Sequence, residues 1–146
     1  MEELAQLRTA IEEQRYNDAL NILGELEEMS REDKINKIQS FAVILLLHLI
    51  KQQAEQRSTR SWEFFIFNSI FEIQKINKRR KAGGYYLNSN ELREIITEVY
   101  PVALKKAALE TLEGQYTTAQ LAEKVDRDSV ESKAIGFILT DTAKLL

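Results

Sequence analysis

The chain has 146 residues, of which 44% are hydrophobic and 29% charged, with a formal net charge of −3. That length suits one domain with a sizeable core, and the composition excludes a disordered chain. The absence of cysteine excludes disulfides, thiolate nucleophiles and cysteine-held metal.

Five glycines and one proline are few for this length, which favours long helices over a many-turned β fold. Leu4, Leu7 and Ile11 recur at helical spacing and predict a helix over about 2–14. Asn17 or Asp18 is placed to cap a short second helix with Ala19, Ile22, Leu23 and Leu26. Ser30 has the character of an N-cap, with Glu32 and Asp33 in the first turn, so a third helix is expected over about 31–56. It contains the run Phe41 to Leu47, apolar on every side. A helix of that kind must be covered all round, and the run is far shorter than the ~20 residues that span a bilayer.

The polar stretch Glu55 to Arg60 reads as a turn. Trp62, Phe65, Ile66, Ile70, Ile73 and Ile76 then predict a strongly buried helix over about 60–78, widened by Phe64, Phe67 and Phe71. It would pair antiparallel with the preceding helix, and the Ala82-Gly83-Gly84 run breaks it. Asn88, Ser89 or Asn90 is expected to cap a helix whose stripe Leu92, Ile95, Ile96, Val99, Val102, Ala103 and Ala107 continues across Pro101. A proline so far inside a helix predicts a kink near Tyr100. Thr117 to Gln120 form a capping-box pattern opening a short helix. A last helix runs through Ile135, Phe137, Ile138 and Leu139. The expected fold is all-α: an up-and-down bundle of five to seven helices with a central antiparallel pair, in a single domain over 1–146.

Charge is segregated along the chain. Residues 1–33 carry three basic and ten acidic side chains, residues 34–81 ten and three, and residues 82–146 seven and ten. Either the acidic first third lies against the basic middle third, or the basic segment faces an anionic partner. The acidic, amphipathic N-terminus lacks the basic start and apolar core of a signal peptide, so a cytoplasmic protein without membrane attachment is expected.

Residues 38–62 carry an unusual combination: Leu47-His48-Leu49 with Lys51, then Arg57-Ser58, then Arg60-Ser61-Trp62. Leu92 to Thr111 adds Tyr100, Ala107, Ala108, Glu110 and Thr111. In these features the chain resembles a bacterial, largely cyanobacterial family known as domain-of-unknown-function family twenty-nine. The likeness covers roughly 17–113, leaving 114–146 as a C-terminal helical extension. The resemblance implies an all-helical bundle and no established activity.

His48 is the only histidine. With Arg57, Arg60, Ser61 and Trp62 it forms a candidate polar cluster, either an anion site built on guanidinium forks or a set of hydrogen bonds across the turn. In the second reading Trp62 packs over His48, and replacing His48 with Phe leaves partners unpaired and costs more than Gln. A catalytic role would need an oriented partner or nucleophile, and none is identifiable. No metal-ligand spacing or glycine-rich phosphate loop is present, so no cofactor is expected. Lys78, Arg79, Arg80 and Lys81, followed by Tyr85 and Tyr86, form a candidate nucleic-acid contact in which cations meet phosphates and rings stack on bases. Residues 117–139 faintly resemble a helix-turn-helix, but Asp126 stands where the turn glycine belongs and the segment is acidic. The function expected is a non-enzymatic interaction module, binding a protein partner or itself. The alternative is a nucleic-acid-associated protein, and an enzyme centred on His48 ranks last.

Overall fold

The computed structural model describes residues 2–79 and 83–140. The described chain is all-α, with six helices: α1 (Glu2–Glu12), α2 (Tyr16–Glu55), α3 (Arg60–Asn77), α4 (Ser89–Glu110), α5 (Thr118–Lys124) and α6 (Arg127–Ile138). A 3-10 turn, Thr111–Gly114, follows α4. No described helix is long and apolar enough to cross a membrane. The chain separates into two compact units, Met1–Asn36 and Lys37–Leu146, and α2 contributes to both.

In the first unit, Gln14 takes a left-handed conformation (φ 61°) and the Arg15 amide donates to the Ala10 carbonyl at 2.8 Å, closing the end of α1. Ala10 and Ala19 are its buried residues. Arg15 donates to Glu13 (2.8 Å) and to Asp18 (3.1 Å). The break expected before Ser30 is absent: α2 is one 40-residue helix and Ser30 is an exposed residue within it. The reason is cooperativity. Each residue added to an existing helix gains a hydrogen bond, and an interior glycine such as Gly24 costs only ~1 kcal/mol.

In the second unit, the apolar run lies in α2 and is covered on most of its circumference, not all round. Ile38, Ala42, Leu45, Leu46, Leu49 and Ile50 are buried, while Phe41, Val43 and Ile44 are half-buried. Helix α3 starts at Thr59, whose hydroxyl accepts from the Trp62 amide at 3.1 Å. It buries Ile66, Ile70 and Ile73 but is less enclosed than its sequence suggests. Phe64 is 60% exposed and Phe71, two turns further on, 44%. Asn77 ends α3 by pairing with the backbone of Leu87: the Leu87 amide donates to Oδ1 at 2.8 Å, and Nδ2 donates to the Leu87 carbonyl at 3.1 Å. That buried side chain holds both ends of the intervening loop together.

A reciprocal capping box, Asn88 with Glu91, opens α4. The helix runs through Pro101 without a break. Proline lacks the amide that the Thr97 carbonyl would accept one turn back. Arg127 supplies a substitute, donating from its guanidinium to the Thr97 carbonyl at 2.9 Å. The same guanidinium lies 4.6 Å from the centre of the Tyr100 ring and donates to Glu131 at 2.6 Å. The Thr97 hydroxyl in turn donates to Glu131 at 2.6 Å. Val102, expected in the buried stripe, is exposed, since the face after Pro101 that packs inward carries Ala103, Ala107 and Ala108. Helices α5 and α6 and the 3-10 turn all pack against α4. Thr117 and Gln120 form the expected capping box on α5, and α6 is capped by Asp126, which accounts for an acid at the position of a helix-turn-helix glycine.

Candidate functional site

The turn between α2 and α3 is tightly defined. Gln56 is left-handed (φ 51°), and Gln52 donates its side-chain amide to the Ser58 hydroxyl at 2.8 Å. This turn carries Arg57 back over α3. Its guanidinium carbon lies 4.7 Å from the centre of the Trp62 ring, and Lys51 Nζ lies 4.9 Å from the same centre. Two cations therefore share one indole, an attraction to the negative face of the ring. Arg57 Nε donates to Glu55 at 3.0 Å, and the Glu55 side chain is only 9% exposed.

These four side chains form one wall of an open cleft of about 550 Å³. The other wall comes from the end of α4 and the turn beyond it: Glu110, Leu112, Glu113 and Gln115. Leu112 (φ 49°), Glu113 (φ 59°) and Gly114 (φ 73°) are left-handed in succession. A non-glycine residue in that region costs ~1–2 kcal/mol, so the sequence holds a strained rim here. A Cβ on Gly114 would sit 3.2 Å from the Leu109 carbonyl oxygen. Next to this run, the fully buried Thr111 hydroxyl has no hydrogen-bond partner among the described residues.

Of the residues singled out from sequence, Arg57 and Trp62 meet in this cleft. His48 does not line it. Its Nδ1 donates to the Ile44 carbonyl of its own helix at 2.8 Å, and its ring stacks on Phe65 with centres 5.0 Å apart. Phe65 thus holds the place expected for Trp62, and the hydrogen bond stays within α2 rather than crossing the turn. Burial pushes the imidazole below its usual value, helped by Lys51 and opposed by the hydrogen bond to Ile44 and by Glu110. Arg60 and Ser61 are exposed on the first turn of α3 and do not line the cleft. Lys51 and Glu110 belong to the features that carry the family resemblance, but nothing in the sequence joins them, or Glu113, to Arg57 and Trp62 in one site.

The basic segment lies at the other end of α3. Lys78 and the exposed Tyr85 form an isolated antiparallel bridge and border a cleft of about 760 Å³ floored by Ile73, Leu92 and Ile138. The Arg79 guanidinium lies 5.3 Å from the centre of the Tyr86 ring. Arg80 and Lys81 fall outside the described residues. Among the described residues, no cluster of three His, Asp or Glu side chains has the arrangement of a metal site.

Neither a search of curated proteins nor a search of solved structures found a match to the chain. A family match extends beyond residues 17–113 at both ends. By that match, over residues 2–126, the chain belongs to the family described as Domain of unknown function DUF29.

Proposed function

We propose that the chain is a non-enzymatic protein-interaction module whose docking point is the Trp62 cleft. One observation carries the reading. Tryptophan, arginine and charged groups of both signs converge on an open cleft, whereas His48 is buried against Phe65 and outside it. Trp and Arg are the side chains that dominate binding energy at protein interfaces. The exposed Phe64 and Phe71 supply further apolar area on α3 for a partner or a second copy. The test is a photo-crosslinking residue at Gln115, in the cleft, combined with affinity capture from the native lysate. A protein crosslinked there, and lost on Trp62→Ala and on the charge reversal Glu113→Arg, is the expected result. Capture that both variants leave intact, with no crosslink, would sink the reading.

A second reading rests on Lys78, Arg79, Tyr85 and Tyr86. Cations adjoin rings beside a cleft, an arrangement suited to the backbone and bases of a single strand. It requires binding of a single-stranded oligonucleotide that weakens steeply with salt and is reduced by Lys78→Gln with Arg79→Gln. Salt-independent binding, or none at low salt, removes it.

A further inference from the structure

We propose that the Trp62 cleft takes a partner segment presenting an acidic and a basic side chain close together. The inference deepens the interaction reading of the same cleft and rests on it. Its basis is which charges the fold uses internally and which it leaves over.

Glu55 is consumed by Arg57 through Nε. The terminal nitrogens of Arg57 and the ammonium of Lys51 make no hydrogen bond or ion pair among the described residues, although both groups lie against Trp62. On the facing wall, Glu110 and Glu113 are exposed and likewise form no ion pair among the described residues. One wall therefore offers donors on fixed cations, and the other offers free carboxylates.

A purely anionic ligand that reached Lys51 and Arg57 would bring its charge toward Glu110 and Glu113. A purely cationic one that reached the glutamates would face the two cations. Only a ligand carrying both signs is attracted to both walls, and like charges across an interface are penalised. The indole, with both cations within about 5 Å of its ring centre, anchors the positive wall. The volume, about 550 Å³, accommodates two side chains and not a folded surface. A helix or extended segment with a glutamate and a lysine one turn apart has the required span.

Trp62 is the only tryptophan, so its emission reports on the cleft alone. The test titrates the full chain with short alanine-based peptides free of aromatic residues. One carries Glu and Lys four apart, one carries Glu at both positions and one carries Lys at both. The mixed peptide is expected to shift Trp62 emission saturably and to bind about threefold to tenfold tighter than either single-sign peptide, since an exposed ion pair is worth up to about 1 kcal/mol and a like-charge contact in its place costs a similar amount. By calorimetry, Lys51→Gln and Glu113→Gln should each weaken the mixed peptide about twofold to fivefold. Glu113→Gln should also strengthen binding of the Glu-only peptide, an effect that loss of folding does not produce. A single-sign peptide that binds as tightly as the mixed one overturns the proposal. So does an equal response to free lysine and glutamate together. No saturable response to any peptide, while Trp62→Ala still abolishes lysate capture, overturns the two-sign inference and leaves the interaction reading standing.

Discussion

His48 shows how far a single side chain can be judged from its neighbours. Its Nδ1 proton goes to the Ile44 carbonyl, a group inside α2 that the helix bonds in any case. Removing the imidazole therefore leaves no orphaned acceptor, and the larger part of its interaction is the stack on Phe65. His48→Phe should thus cost less than His48→Gln, reversing the order expected from sequence, with the Gln variant losing about 1–2 kcal/mol by chemical denaturation. A larger loss for Phe would show that the hydrogen bond, not the stack, holds the ring. The pH dependence follows from the same burial. The folded imidazole has a lowered affinity for protons, so below about 6.5 the unfolded chain takes up a proton that the native ring resists. Stability contributed by neutral His48 is complete above that value and declines as pH falls through 6.5 toward the folded value. The midpoint of urea unfolding should fall over that interval in the native chain, and His48→Phe should flatten the decline.

At the level of elements, Pro101 and Arg127 form a pair that neither residue announces alone. The proline removes an amide from α4, and a guanidinium from α6 occupies the vacated position at Thr97. Arg127→Ala should cost about 1 kcal/mol in the native chain. In a Pro101→Ala background, where the new amide reaches the Thr97 carbonyl, the cost should be smaller, because the acceptor is already satisfied. Thermal unfolding of the four combinations measures this coupling, and strict additivity would show that Arg127 acts only through Tyr100 and Glu131. Much of the element order was readable beforehand. The capping box at Thr117, a cap among Asn88, Ser89 and Asn90, and the start of α3 at Arg60 are local patterns, and local patterns survive folding. Ser30 failed as a cap because a favourable capping residue does not interrupt a helix that packing sustains. The site was half readable. Arg57 and Trp62 lie on either side of one turn, but Glu110 and Glu113 join them only through the tertiary path of α4 and its left-handed exit.

On the scale of the whole molecule, the division near Asn36 falls inside one continuous helix. Before it, α2 presents Leu20, Leu23 and Met29 to solvent and buries only Ala19; beyond it, Ile38 to Ile50 lie mostly within the core. Covalent and hydrogen-bonded continuity is therefore not matched by continuity of burial. Deuterium uptake should expose the difference. Amides between Leu45 and Ile50 should exchange only through global opening, and those between Leu20 and Met29 orders of magnitude sooner, through excursions that leave the rest intact. Equal protection along α2 would mean that its early turns are shielded by something the chain alone does not supply. A rod that is one piece in geometry would then be two in persistence, with its early turns able to melt and re-form while the later ones stand.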